Sequence, residues 1–208
     1  SEAEIGLGDI EWDRGHRSAA LEIYSRVVEA QFGGNDAAGE ATNLAFGKAL
    51  ERLGIAFMVE NRGEEALHCF KRACSLAVGQ DFLSRHNQLI ALRNLGNCYN
   101  QWQRFDEAKA VFERAVLLGE TLVAEKSRSV ETQRAFALAL LGAATSSLGL
   151  DAPSEALPLI QRGEACQQEL SRLSPALAGD ALYFKAERLR AERMVRGRSW
   201  LSGESHPE

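Results

Sequence analysis

The sequence predicts an all-α fold of about four helical hairpins, closed by a C-terminal capping helix. Three observations predict it. Only four prolines interrupt 208 residues, and Ala, Leu, Glu and Arg, all strong helix formers, are abundant. Apolar residues recur at i, i+3, i+4 and i+7, the spacing of one helix face. The same internal spacing returns along the chain, so each unit reads as a pair of helices that can bury its apolar face only against a neighbour.

The hairpins follow in order. In the first, about 1–34, Leu7-Gly8 leads to Ala20, Tyr24 and Val27. In the second, 37–80, Leu53-Gly54 is followed by Phe57, Ala66, Phe70 and Ala73. The third, 82–122, has Leu92, Leu95-Gly96 and Tyr99 on one helix and Ala108, Phe112 and Ala115 on the next. In all three, twelve residues separate the glycine from the first alanine. The fourth, 128–171, runs from Leu141-Gly142 to Ala156 and Ile160 with two extra residues between. Ser174-Pro175 opens a capping helix over 176–198, since proline suits the first helical position. Its later part carries Arg188, Arg190, Arg193, Arg196 and Arg198. The array is expected to fill 1–200 as a single domain, with 201–208 a disordered tail.

This pattern resembles the tetratricopeptide repeat, whose signature is Trp-x2-Leu-Gly-x2-Tyr and then Ala-x3-Phe. Leu92 takes the Trp position in the third unit, Gly63 replaces a usual aromatic in the second, and Thr145 takes the Tyr position in the fourth. The resemblance implies a right-handed α-α superhelix, the tetratricopeptide solenoid. Successive glycines lie 46, 42 and 46 residues apart, against a family norm of about 34. The extra residues are helix-compatible, so each first helix is expected to be longer by about two turns. Gly33-Gly34-Asn35-Asp36 and Gly79-Gln80-Asp81 read as stop-then-cap signals. Long repeats of this kind are similar to those of the Pins/LGN polarity adaptors and of kinesin light chain.

In that family the first helix of each hairpin lines a concave groove. The stripe opposite the Leu92-Leu95-Tyr99 core holds Ile90, Arg93, Asn94, Asn97 and Gln101. One repeat earlier it holds Lys48, Glu51, Arg52, Ile55 and Val59; one repeat later, Phe136, Ala139, Leu140, Ala143 and Ser147. Each asparagine costs a helix roughly 0.5 kcal/mol against alanine, which asks for a reason. An amide both donates and accepts, so Asn94 and Asn97 are suited to grip an extended peptide backbone, with Arg93 pairing a partner carboxylate. The Asn-Leu-Gly-Asn string is similar to that of Pins/LGN-type repeats, where such asparagines hold extended segments. The expected groove residues are therefore Lys48, Arg52, Ile55, Ile90, Arg93, Asn94, Asn97, Gln101 and Leu140. The clamp of family members that bind chaperone tails needs basic residues where Phe136 and Leu140 stand, so that role is not expected.

The expected function is a non-catalytic scaffold that binds a protein or peptide segment in its groove. The alternatives are a regulatory fragment of a larger enzyme or signalling protein and, behind it, a helical-repeat RNA binder. A net charge of −5 argues against nucleic acid. No phosphate loop, zinc-protease or nucleophile-elbow string occurs, so no catalytic residue, metal or cofactor is expected. No apolar run is long enough for a membrane span. Cys69, Cys74, Cys98 and Cys166 match no zinc or redox spacing and read as free thiols in a reducing, cytoplasmic setting. The exposed apolar end at Phe136 and Leu140 suggests self-association. The chain begins SEAEIGLGDIEWD without methionine, which points to a trimmed or partial polypeptide.

Overall fold

A computed structural model describes residues 2–32, 40–77, 79–125 and 129–202. Among them the chain is all-α. Nine helices run in order as α1 (Glu2–Asp13), α2 (Arg17–Phe32), α3 (Glu40–Val59), α4 (Gly63–Leu76), α5 (Phe82–Gln101), α6 (Phe105–Glu125), α7 (Val130–Gly149), α8 (Pro153–Leu173) and α9 (Ala181–Ser202). A 3-10 segment, Pro175–Asp180, leads into α9. No helix among the described residues is long and apolar enough to cross a membrane. The Gly33-Gly34-Asn35-Asp36 signal lies outside the described residues, as do residues 203–208 of the expected tail.

Each hairpin turns in the same way. Gly15, Asn61, Gln103 and Asp151 all have φ between 57° and 81°. In the first turn the Gly15 amide donates to Trp12 O at 2.9 Å and the His16 amide to Glu11 O at 2.9 Å. The third pairs Gln103 N with Asn100 O at 3.0 Å and Arg104 N with Tyr99 O at 2.9 Å. The same two bonds recur after Asn61 and Asp151. This is the Schellman arrangement, in which a left-handed residue lets two amides satisfy the last carbonyls of the helix. Three of the four positions do without glycine, the residue that adopts this conformation most cheaply.

The following helices start by different means. Asp81 accepts from the amides of Leu83 and Ser84 at 3.0 and 3.1 Å, capping α5. Ser129 accepts from Thr132 N and caps α7. The long repeat is shared between both partners of the later hairpins. The first helices α3, α5 and α7 have 20 residues each, and the second helices α6 and α8 have 21. Residues expected to extend only the first helices thus also lengthen α6, whose apolar pattern continues through buried Gly119 and Leu122.

The chain divides into two compact units, residues 1–98 and 99–208. In the first, Ile5, Tyr24, Leu50, Leu53, Ala73 and Ala91 belong to one buried core. Glycine sets the helix spacing there: a Cβ on Gly54 would stand 2.7 Å from the Phe70 ring. In the second unit, α6 packs on α7, α7 on α8, and α8 on α9. Ala144, Leu148, Ile160 and Ala191 form one buried cluster. Ala137, Leu170 and Phe184 form another. In that unit the ring of Phe112 lies against Gly142 and that of Phe184 against Gly163.

Candidate functional site

In the first unit, α1, α2 and α3 enclose a cavity of about 200 Å³ lined by Asp9, Trp12, Asp13, Tyr24, Arg52 and Ile55. Arg52 and Ile55 are two of the residues expected in the groove. Asp9, Trp12 and Asp13 were not among them. For Asp9 the signal was present in the repeat register, because Asp9, Ile55 and Asn97 each follow the repeat glycine directly.

The cavity has a defined electrostatic layout. Arg52 grips Asp9 with two bonds, Nε to Oδ1 at 2.8 Å and Nη2 to Oδ2 at 3.3 Å. Tyr24 donates its hydroxyl to Asp9 Oδ1 at 2.7 Å. Burial and the adjacent Asp9 carboxylate push the Tyr24 phenol far above its ordinary value, so it stays a donor. Asp9 is thus neutralised by the protein itself. Asp13 is exposed at the rim and its carboxylate makes no hydrogen bond or ion pair among the described residues. Arg17 lies over the Trp12 ring, 5.8 Å from its centroid.

The other expected residues of this unit divide by exposure. Lys48 is exposed and pairs with Glu2 at 3.1 Å. Asn97 is exposed, and Ile90 and Arg93 are partly so. Asn94 is only 6% exposed, and its Oδ1 accepts from Arg93 Nη2 at 3.0 Å. Its amide is therefore turned to the guanidinium next to it and has little surface left for a partner backbone. Glu51, on the same wall, is partly buried, and desolvation raises its carboxyl to about pH 7, against the opposing pull of Arg93, Arg52 and Lys48.

Two expected residues fall in the second unit. Gln101 is exposed at the end of α5. Leu140 is 0% exposed and lines no accessible groove, which corrects the expectation. The reason lies in how α7 packs. Gly119 leaves room on α6 for the Phe136 ring, since a Cβ there would stand 2.5 Å from it. Phe136 itself is 6% exposed, and Ala139 is buried with it. Further along, Ala143 and Ser147 floor a cleft of about 500 Å³ between α6 and α8, walled by Leu117 and Leu159. The stripe expected to form an apolar groove wall is mostly interior to the hairpin stack.

Asn100 has a different task. Its Nδ2 donates to Gly142 O at 2.9 Å, and the hydroxyl of fully buried Ser146 lies 2.9 Å from its Oδ1. This amide ties the end of α5 to the middle of α7. No group of three or more acidic, His or Cys side chains that could hold a metal occurs among the described residues.

Comparison with known proteins agrees with the repeat fold. The tetratricopeptide repeat family model matches residues 46–118. No curated protein sequence matches the chain. Among solved structures, the kinesin light chain-type TPR-like repeats of Podosopora anserina are 16% identical. That alignment covers 98% of this chain and 96% of the other, with a TM-score of 0.64. BtubC (BKLC) of P. vanneervenii is 14% identical over 97% of this chain and 80% of its own, with a TM-score of 0.60. The Rap conjugation gene regulator of plasmid pLS20, solved in complex with the Phr* peptide, is 13% identical. It covers 94% of this chain and 53% of its own, with a TM-score of 0.56. At these identities the likeness shows fold. Residues 46–118 match the tetratricopeptide repeat family model, and the chain shares its fold with TPR-like repeat structures over nearly its whole length.

Proposed function

We propose that the chain is a non-catalytic interaction module, an adaptor working in the cytoplasm, that holds a segment of a partner protein on the first-helix faces of its N-terminal unit. One observation carries this reading: Arg52 and Ile55, expected from the repeat register, line the same cavity as Trp12 and Asp13. Lys48, Ile90, Arg93 and Asn97 extend the binding face, and Asn94 holds the Arg93 guanidinium. The peptide-bound Rap regulator among the structural neighbours supports a peptide as the class of partner. All four cysteines are free, which supports a reducing compartment.

The cavity favours a basic side chain. Asp9 is already matched by Arg52, so Asp13 supplies the unbalanced charge. Trp12 and Ile55 offer apolar surface to the methylene stem of a lysine or arginine, and the indole face attracts its charge. The test is fluorescence anisotropy with extended peptides that differ only in a central Arg, Glu or Ala. The Arg peptide binds tightest, and Asp13→Lys reverses the order of Arg and Glu. Equal binding of all three peptides, unchanged by Asp13→Lys, would overturn the proposal.

A further inference from the structure

We propose that the outward face of α1 in one molecule docks on the outward face of α9 in a second copy of the chain, joining copies head to tail. The apolar row of this surface lies off the cavity described above, the two meeting only at Asp13, and the inference does not depend on the proposed function.

Both helices present an uncovered apolar stripe with the same spacing. On α1 the stripe is Ala3, Leu7 and Ile10, with Leu7 55% and Ile10 47% exposed. A Cβ on Gly6, beside this stripe, would meet nothing within 4 Å. On α9 it is Leu182, Ala186 and Leu189, with Leu182 70% and Leu189 42% exposed. Each set falls at i, i+4 and i+7, so each forms a row along one helix face. The opposite faces are already used: Ile5 and Gly8 are buried on α1, and Phe184 and Ala191 on α9.

The charges beside the two rows are opposite. Helix α1 has five acids, Glu2, Glu4, Asp9, Glu11 and Asp13, and no base. Glu4 and Glu11 flank its stripe on one side, Glu11 already pairing with Arg14 and His16; Glu2, paired with Lys48, and exposed Asp13 flank the other. On α9, Arg190, paired with Glu187 at 3.4 Å, flanks one side, and Lys185 and Arg196 with Glu192 between them flank the other, with Arg193 continuing the row itself; the four bases are exposed. An acidic-rimmed row and a basic-rimmed row of equal length suit each other. Two acidic rims or two basic rims repel, so the pairing is heterologous rather than self-complementary. Burial of a hairpin face against a neighbouring hairpin is also the interaction that builds each unit.

The test is sedimentation velocity over a range of protein concentrations. Wild type gives an average mass that rises with concentration, and added salt shifts the rise to higher concentration. Leu7→Lys and Leu189→Glu change exposed side chains, keep full helical circular dichroism, and each stay at the protomer mass. Mixed in equal amounts, they form a species of twice the protomer mass and nothing larger, because each still carries one intact face. Three results would overturn the inference: wild type at protomer mass throughout, self-pairing of either variant alone, or a mixture in which both variants stay monomeric.

Discussion

Three of the four asparagines of α5, Asn94, Asn97 and Asn100, have three different fates, although they share a residue type. Asn94 is turned inward to Arg93, Asn97 faces solvent, and Asn100 bonds to α7. Asn100→Ala leaves the buried Ser146 hydroxyl without one of its partners and is predicted to cost about 1–2 kcal/mol in urea unfolding. Asn97→Ala raises stability by roughly 0.5 kcal/mol from helix propensity while weakening peptide binding. A loss of stability there would mean that Asn97 is structural. The sequence made these positions stand out because asparagine is unfavourable inside a helix. Sequence could not separate their roles, which depend on what each helix face meets.

Glu51 gives a pH dependence at the same scale. Desolvation lifts its folded value to about 7 from the ordinary 4.5. The folded chain therefore binds the extra proton between those values, and stability falls as pH rises through that window. Glu51→Gln removes the titration. It is predicted to leave stability near pH 4.5 unchanged and to raise it at pH 8 by up to about 3 kcal/mol, since each pKa unit between 4.5 and about 7 corresponds to about 1.4 kcal/mol. Unfolding curves at the two pH values check this.

At the scale of the element, hairpin geometry follows from glycines and turns. Gly54→Ala would force a methyl group against the Phe70 ring and is predicted to lower stability by about 1–3 kcal/mol. Gly6→Ala, with nothing near it, raises stability by roughly 0.5–1 kcal/mol. Gln103 sits at φ 57°, so Gln103→Gly relieves left-handed strain and is predicted to gain up to about 1 kcal/mol. Thermal melts of the three variants separate close packing from backbone strain. The Leu-Gly doublets showed where first helices meet second helices. The lengthening of α6 was less legible, because the residues linking hairpins suit either helix.

For the whole molecule, repeat spacing made the fold class readable, and the site was readable only in part. Arg52 and Ile55, expected in a groove, line the cavity of the N-terminal unit. The burial of Leu140 was not legible, because the space beside Gly119 and the cover over α7 are tertiary facts. Trp12 and Asp13 were passed over because the first repeat departs from the consensus, and that departure gives the cavity its aromatic wall and unpaired charge.

The most direct measurement is an NMR titration of the labelled chain with an Arg-centred extended peptide. The Trp12 indole N–H and the Ile55 methyl group are expected to show saturable shifts, with affinity reduced about tenfold or more by Asp13→Lys, and the Leu117 and Leu159 methyls of the α6–α8 cleft to stay unmoved. Shifts confined to Leu117 and Leu159, with Trp12 and Ile55 silent, would contradict the proposed function.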